Sequence, residues 1–75
     1  MSDRKYLIIL ETDGKTYSAY CPDLPGVASA GDTRGECVEN MRQAMALHLE
    51  GLAEDEIEIP EPKTQADYYE FRESA

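Results

Sequence analysis

Gly31-Asp32-Thr33-Arg34-Gly35-Glu36-Cys37-Val38 is where the chain changes its period. Upstream, apolar residues come in short runs bounded by turn residues, the pattern of strands. Downstream they recur at spacings of three and four, the pattern of one helical face. Thr33 with Glu36 forms a capping box, in which hydroxyl and carboxylate each satisfy an orphan amide at the helix start. Asp32 adds negative charge beside the positive end of the helix dipole. From Arg34 onward Cys37, Val38, Met41, Ala44, Met45, Leu49 and Leu52 make one apolar stripe, opposite Arg34, Glu39, Arg42, Gln43 and Glu50. About twenty residues at ~1.5 Å each predict a helix of ~30 Å, long enough to cross a small sheet.

Working back from that junction, Val27-Ala28-Ser29-Ala30-Gly31 predicts a short third strand. Pro22-Asp23-Leu24-Pro25-Gly26 before it is a stiff connector. Its two prolines fix φ and withhold two amides from any ladder, and Gly26 is free to take a positive φ. Residues 16–21 predict a second strand, with Tyr17, Ala19 and Cys21 on one face and Ser18 and Tyr20 on the other. Asp13-Gly14 joins it to a first strand over residues 5–11, since Asp-Gly between two such runs is a strong hairpin signal. The unbroken apolar run from Tyr6 to Leu10 predicts a central strand covered on both faces.

Working forward, Glu56-Ile57-Glu58-Ile59 alternates strictly until Pro60 stops it, which predicts a short fourth strand at a sheet edge. A right-handed return from the helix would set that strand parallel to the first, in the order third, second, first, fourth. Thr64 with Asp67 has the spacing of a second capping box, and Tyr68, Tyr69 and Phe71 could anchor a short terminal helix. The expected architecture is α+β: a three- or four-stranded sheet with one long helix on one face. It forms one domain over residues 1–62, with an acidic tail over residues 63–75.

Charge narrows the function classes. Sixteen acids against seven bases give −9 over 75 residues. Binding to nucleic acid through phosphate contacts needs a basic stripe, so direct DNA or RNA binding by this chain is not expected. The last twenty-five residues hold eight acids and two bases, against eight and five in the first fifty. Such a segment either solvates the protein or faces something basic. No apolar run approaches the ~20 residues of a membrane span. The start, Ser2-Asp3-Arg4-Lys5, lacks the pattern of a secretory signal. Two cysteines are too few to staple a secreted scaffold, and a cytoplasmic location is expected.

The Asp-Gly hairpin, Pro22-Asp23-Leu24-Pro25-Gly26, Gly31-Asp32-Thr33 with Glu36, the long amphipathic helix and Ile59-Pro60 stand in a fixed order. Over residues 4 to 62 this resembles the HicB-like antitoxin family. The resemblance implies a reduced ribonuclease H-like βββαβ unit that has lost catalysis. It also implies a partner, a small basic HicA-type toxin that cleaves mRNA and is masked by binding. Many members add a C-terminal DNA-binding domain. The thirteen residues after Pro62 are too few and too negative to match one. The alternative function is a stand-alone oligomeric relative with a binding or structural role and no toxin.

Catalytic and metal readings are weaker. A ribonuclease H site needs carboxylates converging on two metals roughly 4 Å apart. Glu11, Asp13, Asp23 and Asp32 are the candidates, but the hairpin and the helix cap already use Asp13 and Asp32. His48 sits near the apolar stripe and reads as a packing residue, and Cys21 and Cys37 read as small buried hydrophobes. No cofactor and no metal are implied. The signature residues Pro22, Asp23, Leu24, Pro25, Gly26, Gly31, Asp32, Thr33 and Glu36 are expected to act mainly structurally, and Glu54, Asp55, Glu56 and Glu58 to meet the partner. A thin core with one covered sheet face predicts a homo-oligomer, a dimer or a pair of dimers.

Overall fold

Three short strands and one long helix follow one another as β1 (Ile9–Thr12), β2 (Tyr17–Tyr20), β3 (Ala28–Gly31) and α1 (Arg34–Glu54). The computed structural model describes residues 3–74. The strands form an antiparallel sheet in the order β1-β2-β3, with Leu10 opposite Ala19 and Ala19 opposite Ser29. That row faces the helix: Ala19 is buried, and Ser29 Oγ donates to the carbonyl of Cys37 at 3.0 Å. Ile9, Tyr20 and Ala28 form the neighbouring row on the face turned away from α1.

The helix begins as its sequence dictates. Glu36 N–H donates to Thr33 Oγ1 at 3.1 Å, and Glu36 Oε1 accepts from the amide of Asp32 at 3.2 Å, one residue earlier than the standard box. Cys37, Met41 and Met45 are the buried residues of the apolar stripe, and they close on Ala19, Cys21, Leu24 and Val27. Leu24 has no exposed surface, so the proline-rich connector also plugs the core. Close approach of β3 to α1 depends on Gly31. A Cβ built there would stand 2.7 Å from the backbone nitrogen of Cys37. Asn40 Nδ2 donates to the carbonyl of Ala30 at 2.9 Å and ties the same seam from the helix side. Gly26 takes the positive φ its position calls for, at 88°. Cys21 and Cys37 are buried free thiols, and His48 is half-buried on α1.

Three expectations are corrected. β2, not β1, is the central strand, because no fourth strand forms beside β1. Residues 56–59 do reach the neighbourhood of the first strand's N-terminal extension, but without a ladder. Tyr6 Oη donates to the carbonyl of Pro60 at 2.6 Å, and Arg4 Nη1 donates to that of Ile59 at 3.0 Å. These carbonyls accept from side chains where a ladder would offer backbone amides, and Pro60 and Pro62 have no N–H to give in return. The terminal helix is absent as well: residues 57–74 carry neither helix nor strand. Thr64 is turned to the connector instead: its hydroxyl donates to Asp23 Oδ1 at 2.9 Å and its amide to Asp23 Oδ2 at 3.0 Å.

The end of α1 explains the change of direction. Glu56 N–H donates to Ala53 O at 3.2 Å and Ile57 N–H to Leu52 O at 2.9 Å, the paired bonds of a Schellman motif. Glu56 takes the left-handed position of that motif, with φ of 56°, where glycine is usual. No helix among the described residues is long and apolar enough to cross a membrane.

Candidate partner-binding surface

Glu54, Asp55, Glu56 and Glu58 are all exposed, on the last turn of α1 and the chain leaving it. The C-terminal end of a helix carries the negative pole of its dipole, and cations there are stabilising. This helix has no basic residue in its last turn. Carboxylates are instead stacked where the backbone is already negative. For the fold alone that placement is unfavourable.

From this corner the chain crosses the molecule as a strap. Arg4 and Tyr6 hold the carbonyls of Ile59 and Pro60, and Arg4 Nη2 lies 3.5 Å from Glu61 Oε1. Further on, Asp23 fastens the strap. Its Oδ2 accepts from the amides of Lys63 at 3.1 Å and Thr64 at 3.0 Å. The Thr64 amide, aided by the Thr64 hydroxyl, the Lys63 amide and the Lys63 charge, holds the Asp23 carboxyl below the usual value against a smaller opposing effect of burial. Between connector and strap lies an open groove of about 340 Å³, walled by Pro22, Pro25 and Pro60 and rimmed by Glu58, Glu61 and Lys63.

The signature residues thus separate by position. Pro22 and Pro25 wall the groove, Leu24 is in the core, and Gly26 makes the turn. Gly31, Asp32, Thr33 and Glu36 build the seam and cap of α1. Of the acidic partner candidates, Glu58 lines the groove, while Glu54, Asp55 and Glu56 stand at the helix end. Sequence reasoning missed the Asp23 fastening together with Arg4, Tyr6, Lys63 and Thr64. Asp23 reaches partners 40 and 41 positions away, and no local pattern encodes such a pairing.

The nuclease candidates have other work. Asp13 Oδ1 accepts from the amides of Lys15 at 2.8 Å and Thr16 at 2.9 Å, closing the hairpin. Those bonds, that of Thr16 first, hold its carboxyl below the usual range. Glu11 shares a shallow polar hollow with it. Asp23 fastens the strap, and Asp32 stands beside the start of α1. Among the described residues, no three His, Cys, Asp or Glu gather closely enough to hold a metal ion.

Comparison with known proteins agrees with this architecture. A 55-residue stretch is 42% identical to an uncharacterised 14.9 kDa protein from the rep-hol intergenic region of Haemophilus phage HP1, covering 73% of this chain and 41% of that protein. A UPF0150 protein of Synechocystis is 39% identical over 57 residues, 73% of this chain and 71% of its own. Antitoxin HicB 2 of Photorhabdus laumondii is 29% identical over 65 residues, 87% of this chain and 47% of its own. The chain therefore matches less than half the length of the phage protein and of HicB 2. The crystal structure of the N-terminal domain of Burkholderia pseudomallei antitoxin HicB superposes with a TM-score of 0.66 at 30% identity, covering 84% of this chain and 72% of that one. Residues 6–74 match the family described as the HicB-like antitoxin of bacterial toxin–antitoxin systems. With nearly its whole described length inside that match and the same fold in a solved member, the chain belongs to the HicB-like antitoxin family.

Proposed function

We propose that this chain is a non-catalytic antitoxin that binds a small basic HicA-type toxin and masks its RNA-cleaving surface. The observation that carries the reading is the crowding of Glu54, Asp55 and Glu56 at the negative pole of α1, with no basic residue in the last turn. A local rule of helix stability is broken there with no basic side chain paired to these carboxylates among the described residues, as happens at functional sites. A basic RNA-binding surface supplies the missing countercharge. Eight acids against two bases in the last twenty-five residues imitate the polyanion such a surface holds. The protein works in the cytoplasm, as a dimer or tetramer, and these 75 residues do not themselves hold DNA.

The test mixes purified protein with the product of an adjacent short basic reading frame and follows RNA cleavage. Cleavage should fall to background near stoichiometric addition. Uninhibited cleavage at several-fold excess sinks the antitoxin reading. It leaves the second one, a self-associating HicB-like protein without a toxin, which the row Ile9, Tyr20 and Ala28 on the face turned away from α1 favours.

A further inference from the structure

Half of the chain's six aromatic side chains stand within four positions: Tyr68, Tyr69 and Phe71. They are 98%, 89% and 72% exposed. Single exposed apolar residues are ordinary, but three large rings side by side mark an interaction site. The segment has no helix or strand, and the amide of Tyr68 bonds only locally, to Asp67 Oδ1 at 2.7 Å. Its base is nevertheless fixed, since Asp23 holds Lys63 and Thr64 in place. Asp67, Glu70 and Glu73 are interleaved with the rings, against a single base, Arg72.

We propose that residues 67–73 are a docking arm that lies in an apolar groove on the basic toxin, burying Tyr68, Tyr69 and Phe71 with Asp67, Glu70 and Glu73 at the rim. This rests on the toxin-masking reading above and names the contact that supplies its affinity. Charge selects the occupant. A basic partner attracts the acidic arm, whereas a second copy of this chain, at −9, would have to take it against repulsion even where the two copies meet elsewhere. Tyrosine suits the task, offering large rigid contact area at low entropic cost. The fastened base reduces the ordering that docking requires.

The test compares full-length wild type with two variants for binding to the adjacent basic gene product. The ring variant is Tyr68→Ser/Tyr69→Ser/Phe71→Ser, and the acid variant is Glu54→Gln/Asp55→Asn/Glu56→Gln. The ring variant should bind at least about 100-fold more weakly, mainly through faster dissociation. Its melting temperature should be unchanged, because the rings are outside the core. The acid variant should associate more slowly and dissociate at the wild-type rate. Unchanged affinity in the ring variant overturns the arm and leaves the toxin reading standing. Wild type that binds no toxin overturns both. A ring variant that melts early, or that loses self-association while keeping toxin affinity, places the rings in a fold or self-contact and overturns the arm.

Discussion

At Gly31 a methyl group is too large. The neighbour it would meet, 2.7 Å away, is backbone in the first turn of α1 and cannot swing aside. Gly31→Ala should cost about 1–3 kcal/mol, the range for overpacking. Thr33→Ala should cost about 1 kcal/mol through loss of the cap bond to Glu36. Thermal or urea melts of the two variants check both values, and a Gly31→Ala protein as stable as wild type removes the close-approach argument. Glu56 has the opposite problem, a side chain where the backbone favours none. The left-handed conformation disfavours L residues by roughly 1–2 kcal/mol. Glycine gives back part of that through its freer unfolded chain. Glu56→Gly should therefore stabilise the protein by about 0.5–1 kcal/mol, while slowing toxin association by removing a steering charge. A melting temperature below wild type would show that Glu56 is not strained.

The strap and the helix differ in how they are held, and pH separates them. Asp23 is held below its ordinary value of 3.8 in the folded chain. A depressed carboxyl contributes stability that is complete above the ordinary value and is lost as pH falls through the folded one. The amide resonances of Lys63 and Thr64 should hold steady from neutrality to about pH 4 and move only in stronger acid, as the carboxylate lets go. Movement of those amides above pH 5 contradicts the fastening. The helix was legible because its information is local: Thr33 and Glu36 sit three apart, and the apolar stripe repeats within two turns. The hairpin was legible for the same reason, through Asp13-Gly14. The fourth strand was misread because alternation in residues 56–59 reports two faces but says nothing of donors. The prolines at 60 and 62 and the bend at Glu56 removed the ladder. The terminal helix was misread because the spacing of Thr64 and Asp67 is local, whereas Thr64 is fastened to a residue 41 positions upstream that no local pattern reveals.

The whole molecule measures 56 × 26 × 19 Å, and its radius of gyration of 15.1 Å exceeds the ~11 Å of a compact chain of this length. The acidic half of the candidate surface was legible as composition. The groove and the arm's exposure were not, because both depend on where the strap is fastened. One sheet face is covered by α1, and Ile9, Tyr20 and Ala28 line up on the other. Self-association through that face should tighten with added salt, which screens repulsion between two chains of −9. Association with a basic toxin should slow under the same salt. Light scattering that finds only monomer at high micromolar protein and raised salt removes the self-contact. The strap also has a mechanical consequence. Its attachments to Asp23, Tyr6 and Arg4 are spaced along the chain and share no ladder. A pull on residue 74 would load them one after another, so the strap would peel away at low force while sheet and helix stayed intact. Anything joined to that end could be tugged without unfolding the body it hangs from.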